Sequence, residues 1–328
     1  MTYKWNFPIF TASESNVLSK SNKSNGKSNQ RTCRYTIQDL QSAGHENYHD
    51  GLSHGLSPVT NKSIYKRICF DGVCQVKYRS GYINRMRYTL AAIGLAPFLI
   101  AQGLYVRGVT PRLPEPPGER SGIHGSGSPL SLLILGDSAA AGVGVSAQSQ
   151  ALSGQLVSAL GSDFQVSWKL IAQTGHTAKD VLAKIEMASP EKFDVVVTSI
   201  GVNDVTRGTM TKNWIEHQSK IIELLQSKFH AQYIILSSIP PMHLFPALPQ
   251  PLRWYLGMRA TRLNSALKNF IENCNRCELI KTNFPLEAAY MAADGFHPGA
   301  LSYSVWANHV AVIIRSWIAA TTVLKDEK

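Results

Sequence analysis

Four short stretches of this chain carry side chains that could do chemistry together. The first is Leu135-Gly136-Asp137-Ser138-Ala139-Ala140-Ala141-Gly142-Val143-Gly144, where Ser138 follows an apolar run among small residues. A serine placed there can present its hydroxyl in a crevice. Gly136 permits a tight turn, and the following N–H groups can face a developing anion. Taken alone, a turn with a helix cap would explain the stretch. Neither G-x-G-x-x-G nor a Gly-Lys-Ser/Thr loop is present, so a dinucleotide or phosphate cradle is not indicated.

The second stretch is Ala172-Gln173-Thr174-Gly175-His176-Thr177. Gly175 can offer an unshielded N–H to a substrate oxygen, and His176 is one conceivable base. The third is Ser199-Ile200-Gly201-Val202-Asn203-Asp204, in which the Asn203 amide can donate to an oxyanion. An Asx turn would also account for it, with Asp204 bonding to local backbone. The fourth is Asp294-Gly295-Phe296-His297-Pro298. A serine hydroxyl is a poor nucleophile until a base takes its proton, and that base needs a carboxylate on its other ring nitrogen. Asp294 and His297, three apart in one turn, can act as such a unit, with Pro298 suited to the first helical position. His297 is the better base of the two histidines.

These stretches fall where strands should hand over to helices. Apolar runs predict strands at 130–135, 165–171, 194–200, 232–238 and 277–281. Amphipathic stretches predict helices near 147–160, 177–188, 210–229, 256–273 and 299–319. Alternation of this kind gives a parallel sheet between helix layers, with its site at the carboxyl ends of the strands.

The order Ser, Gly, Asn, then Asp and His resembles the SGNH hydrolase family, the GDSL-like lipases and esterases, over about residues 130–320. The resemblance implies an α/β, flavodoxin-like three-layer α/β/α sandwich with a parallel sheet of about five strands. It implies Ser138 as nucleophile, His297 as base and Asp294 as its orienting partner. The Ser138 N–H, the Gly175 N–H and the Asn203 amide would form the oxyanion hole. No cofactor and no metal is required. Ala139 stands where the name GDSL has Leu. The implied function is serine ester hydrolysis through an acyl-enzyme. An O-acyltransferase or deacetylase working on cell-wall or surface sugars is the alternative, and an inert membrane-tethered binding protein is the competing class. Arg87 to Gly122 also resembles the membrane leader of a proteobacterial subgroup.

The loop from Pro240 to Tyr255 is stiffened by prolines and carries apolar side chains. Phe245 and Leu248 are expected to bind substrate there, a small or lipid-like ester. Arg253, Arg259 and Arg262 read as a solvated helix face, or as contacts to an anionic substrate.

Outside this region the chain changes character. Of a net +11 over 328 residues, +7 lies in residues 1–85. Residues 1–66 are rich in Ser, Asn, Lys and Gly and cannot bury enough apolar surface to offset ordering entropy, while 67–84 read either way. Residues 1–85 are expected to be a disordered basic extension, with Met86 as the natural start. No basic and aromatic stripe suggests nucleic acid. Tyr88 to Val106 is an uncharged run of 19 residues, about 28 Å as a helix and close to a bilayer core. Residues 86–106 are therefore expected to form a membrane anchor helix, with a packed or interface-lying helix as the other reading. Residues 107–129 read as a Pro/Gly-rich linker, and 321–328 as a tail. An inner-membrane protein with its domain facing the periplasm follows, or else a cytoplasmic peripheral one. Of the five cysteines, Cys274 and Cys277 have spacing for half a zinc site or a redox pair, but no second pair follows at suitable distance.

Overall fold

The computed structural model describes residues 67–70, 73–76, 94–272, 274, 276–282 and 287–326. It divides into two units, one ending at Arg79 and one beginning at Ser80. In the first, β1 (Arg67–Phe70) pairs antiparallel with β2 (Val73–Val76). The rest of the expected basic extension, and Met86, lie outside the described residues.

The second unit is built on a six-stranded sheet. Its strands are β3 (Ser121–His124), β4 (Ser128–Gly136), β5 (Phe164–Ala172), β6 (Val195–Ser199), β7 (Tyr233–Ser237) and β8 (Cys277–Ile280). They run in the order β3-β5-β4-β6-β7-β8, all parallel except β3, which pairs antiparallel with β5. The five expected strands are present, and the sixth comes from the segment expected to be a linker. All four β3 residues are exposed, so no apolar run announces this strand.

Strand interiors are apolar because both faces are covered. Leu132, Leu133, Ile134 and Leu135 of β4 are fully buried. Each contributes about 1.5–3 kcal/mol by leaving water. Their side chains alternate between two cores. Leu133 and Leu135 join Val196, Ile234 and Leu236 beneath α3 (Ala178–Met187), α5 (Thr211–Ser227) and α6 (Leu252–Ile271). Leu132 and Ile134 join Val197 and Ile235 beneath α2 (Leu152–Leu160) and α7 (Ala300–Asp326). The result is the three-layer α/β/α sandwich. Helix α6 shows the pattern plainly: Leu256, Ala260, Leu263, Leu267 and Ile271 recur at helical spacing and are buried. Helix α3 opens on a capping box, Thr177 with Asp180. Helix α7 continues into the residues expected to be a tail.

The apolar run is corrected by the structure. Residues 88–93 lie outside the described residues. The remainder forms α1 (Ala96–Val109), with 14 residues and Pro97 in its first turn. At 1.5 Å per residue it reaches about 21 Å, short of the roughly 30 Å of a bilayer core. Among the described residues, no helix is long and apolar enough to cross a membrane. Instead, α1 lies against α6. The Gln102 amide donates to the Gln250 carbonyl at 2.6 Å, and its oxygen accepts from Leu252 N–H at 3.1 Å. Apolar composition promises burial without specifying lipid, and here Leu99 is buried against protein.

Candidate active site

The strand order places β5 and β6 on opposite sides of β4. Leaving β4 the chain goes one way, and leaving β5 it crosses back to the other. In parallel sheets a crevice opens at such a reversal, and three of the expected residues sit on its rim. β4, β5 and β6 also end in step, with Gly136 opposite both Ala172 and Ser199.

Ser138 follows β4 in a turn rather than a helix. The Asp137 N–H donates to the Ser199 carbonyl at 3.0 Å, and Val143 N–H donates to the Ser138 carbonyl at 3.0 Å. Gly136 is needed for space: a Cβ there would collide with the Ser199 carbonyl.

The loop bearing Asp294 and His297 is closed at its base by a bridge between Met291 and Pro298. Pro298 therefore pairs across the loop, and α7 starts at Ala300. Asp294 Oδ1 accepts from the N–H groups of Phe296 at 2.9 Å and His297 at 3.0 Å. Its Oδ2 meets His297 Nδ1 at 2.5 Å. On the other side of the ring, His297 Nε2 is 3.0 Å from Ser138 Oγ. The Asp294 side chain is 1% exposed and that of His297 18%, which suits a buried orienter and a ring edge reachable by substrate. Burial pushes the Asp294 carboxyl up, but bonds from His297 and Phe296 outweigh it and leave it below the usual carboxylate value. The buried Tyr303 of α7 donates its phenol to the Val143 carbonyl at 2.7 Å, tying the helix behind His297 to the turn behind Ser138.

Gly175 follows β5 with φ of +83°, a conformation that glycine adopts without penalty. Its carbonyl accepts from Arg207 at 2.7 Å. Asn203 lies in the short helix α4 (Val202–Thr206), entered through Gly201 at φ of +134°. One Asn203 amide N–H donates to the His176 carbonyl at 3.0 Å, which fixes the plane of the amide beside Gly175. Asp204 bonds farther away than expected: buried, it accepts from Ala178 N–H at the start of α3 at 2.9 Å. His176 does not share a cleft with Ser138. It faces a separate small depression with Ile171 and Lys184.

Ser138 and His297 line a cleft of about 40 Å³ together with Ser238, Phe245, Thr282 and Phe296. Phe245 meets Phe296 edge-on at 5.2 Å between ring centroids. Leu248 is buried and lines a different concavity, with Phe296, beside α1. Two of the three arginines of this region are occupied by backbone: Arg253 donates to the Leu248 carbonyl, and Arg259 to those of Val205 and Thr209, while Arg262 is exposed. Cys274 and Cys277 are joined in a disulfide, so they do not stand as thiolate ligands.

Sequence reasoning missed Glu115. Its carboxylate accepts from Thr174 N–H at 2.7 Å and from the Thr174 hydroxyl at 2.8 Å, bracing the Gly175 loop. Arg120 bonds to Glu115 and to the Ala172 carbonyl. Burial raises the Glu115 carboxyl, but the Thr174 and Arg120 bonds win and lower it. Nothing in a Pro/Gly-rich composition signals this brace.

Asp137 is 2% exposed. Burial pushes its carboxyl up to about 7, with Asp204 adding to the rise and the Ala139 N–H and His297 opposing it. The unfolded carboxyl ionises near 3.8. Between those values the folded chain holds a proton the unfolded chain has lost, so stability falls as pH rises. From this group alone the fall between pH 5 and pH 8 is roughly 2–3 kcal/mol. Asp137→Asn keeps an oxygen for Ala139 N–H and removes the titration. Urea unfolding at the two pH values should show that component of the slope in the wild type and its loss in the variant.

The fold is that of a hydrolase family, and its polar residues gather at the carboxyl ends of the strands. Residues 134–305 match the GDSL-like Lipase/Acylhydrolase family, and the chain belongs to that family and cleaves ester bonds. A GDSL-like esterase of Mycobacterium tuberculosis is 24% identical over 251 residues, covering 69% of this chain and 78% of that protein. Among solved structures, the esterase EstA from Pseudoalteromonas sp., inhibited by monoethylphosphonate, is 19% identical with a TM-score of 0.46, covering 58% of this chain and 98% of the other. Est24, described as a carbohydrate acetylesterase from Sinorhizobium meliloti, is 17% identical with a TM-score of 0.43, covering 57% and 99%.

Proposed function

We propose that this chain hydrolyses carboxylic esters through an acyl-enzyme on Ser138, with His297 as general base and Asp294 as its orienter. The observation that carries the reading is the continuous relay from Ser138 Oγ through His297 to Asp294, at 3.0 and 2.5 Å, in the crevice at the reversal of strand order. Ser138 Oγ attacks the ester carbonyl while its proton passes to His297 Nε2. The carbonyl oxygen becomes an anion received by the Ser138 N–H, the Gly175 N–H and the Asn203 amide. Collapse breaks the bond to the alcohol, which leaves with the proton from His297. Water then attacks the acyl-enzyme by the same route and frees the acid. Donors fixed in advance at the place where charge develops supply much of the rate in such reactions. Phe245 and Leu248 border the acyl side.

Reaction with a fluorophosphonate, which transfers its phosphoryl group to an activated serine, tests the assignment. One adduct is expected, on the peptide containing Ser138. An adduct on another residue, or none on folded protein, would sink it.

Peripheral seating at the inner membrane, domain toward the periplasm, belongs to the same reading, with cytoplasmic seating as the alternative. It is supported by α1, which leaves Phe98, Ile100, Leu104 and Tyr105 exposed. Membership of a proteobacterial subgroup with a membrane leader is part of the same proposal and rests on the resemblance of Arg87 to Gly122.

A further inference from the structure

Helix α1 touches α6 without closing onto it. The Gln102 bonds hold it at the start of α6, and a groove of about 530 Å³ runs between the two helices. Leu99, Gly103 and Val106 line it from α1, Leu256 from α6, and Leu248 and Phe296 from the loops. That volume falls within the range of about 300–1,000 Å³ typical of small-molecule sites. Among the described residues, none that lines the groove is acidic, and Arg107 is the one basic residue there.

Phe296 also lines the cleft that holds Ser138 and His297. A single ring, steadied edge-on by Phe245, therefore borders both spaces. An acyl group on Ser138 that outgrows the 40 Å³ cleft would have to skirt Phe296, the residue lining both spaces, to reach the groove. Arg107, Thr110, Thr206 and Tyr255 are its polar side chains and a minority of the lining, so a sugar alcohol would leave most of its hydroxyls unpaired there, which is costly. A saturated chain needs no such partners, and each methylene it buries improves binding about fourfold.

We propose that the groove between α1 and α6 is the acyl-chain subsite, which makes this protein an esterase for medium- to long-chain fatty acyl esters. The inference rests on the ester-hydrolase reading and extends it to a substrate class.

The test compares kcat/KM for p-nitrophenyl butyrate and laurate on the full chain. A Cβ at Gly103 would meet nothing within 4 Å, so Gly103→Phe places a ring in the void and also removes a poor helix former. Blocking three methylenes should lower the laurate-to-butyrate ratio by roughly fiftyfold, with Gly103→Leu between it and the wild type. Phe98 lies on the same helix outside the groove, and Phe98→Ala should keep the wild-type ratio. An unchanged ratio in Gly103→Phe, with turnover still dependent on Ser138, overturns the groove and leaves the hydrolase standing. So does an equal loss in Phe98→Ala, which would point to the outer face of α1. If no ester is turned over by way of Ser138, the hydrolase reading itself fails. The groove is then judged by fluorescence titration with a dansyl-labelled undecanoate. Saturable binding weakened in Gly103→Phe supports it. Equal affinity, or no saturable binding, overturns it.

Discussion

Ser138→Ala should lower kcat for p-nitrophenyl butyrate by about 10⁵–10⁶-fold, as expected when the nucleophile of a relay is removed. The loss is large because two steps vanish together: formation of the acyl-enzyme, and the proton transfer that makes the oxygen nucleophilic. It should not be total, because the anion-stabilising donors remain and can assist attack by water. Stability should hardly move. Ser138 Oγ is paired with His297 Nε2, while the turn is held by main-chain bonds from Asp137 and Val143. Phenolate release alongside a thermal melt separates the two effects. Turnover within tenfold of the wild type would place the nucleophile elsewhere.

Asp294→Asn is the second large effect, a fall of roughly 10⁴-fold in kcat. Asparagine retains an oxygen for the N–H groups of Phe296 and His297, so the loop should keep its shape. What changes is the partner of His297 Nδ1. A carboxylate requires an N–H there, leaving Nε2 as an acceptor toward Ser138. An amide N–H at that place favours the other tautomer, in which Nε2 carries the proton and cannot take one. Asp294→Ala should lose the same activity and also stability, since two backbone donors lose their acceptor. Near-wild-type kcat in Asp294→Asn would remove the orienting role from Asp294.

The central sheet was legible because strands covered on both faces leave continuous apolar runs, as in Leu132 to Leu135 and Val195 to Val197. The four polar stretches were legible because each interrupts a strand-to-helix passage with residue types a turn alone does not require. Partners distant in sequence were not legible. β3 has no apolar face, and its strand character comes wholly from pairing with β5. Glu115 acts through Thr174, 59 residues away, and no local period encodes that distance. Asp204 read as bonding to local backbone, yet it accepts from the start of α3, 26 residues away. Tyr88 to Val106 shows a different limit. Hydropathy reports how much apolar surface wants cover, and α6 supplies part of that cover for the described portion.

Ser138 and His297 are 159 residues apart in the chain, and the buried phenol of Tyr303 links α7 to the turn after Ser138. The intervening strands and helices must find their places before the two side chains can meet. Contacts so distant in sequence form slowly, because loop closure costs entropy before it is rewarded. On the proposed reading, a nascent chain carries Ser138 long before His297 and stays inert until the second has been made. Chain order alone would then keep half-finished molecules from stray acyl transfer.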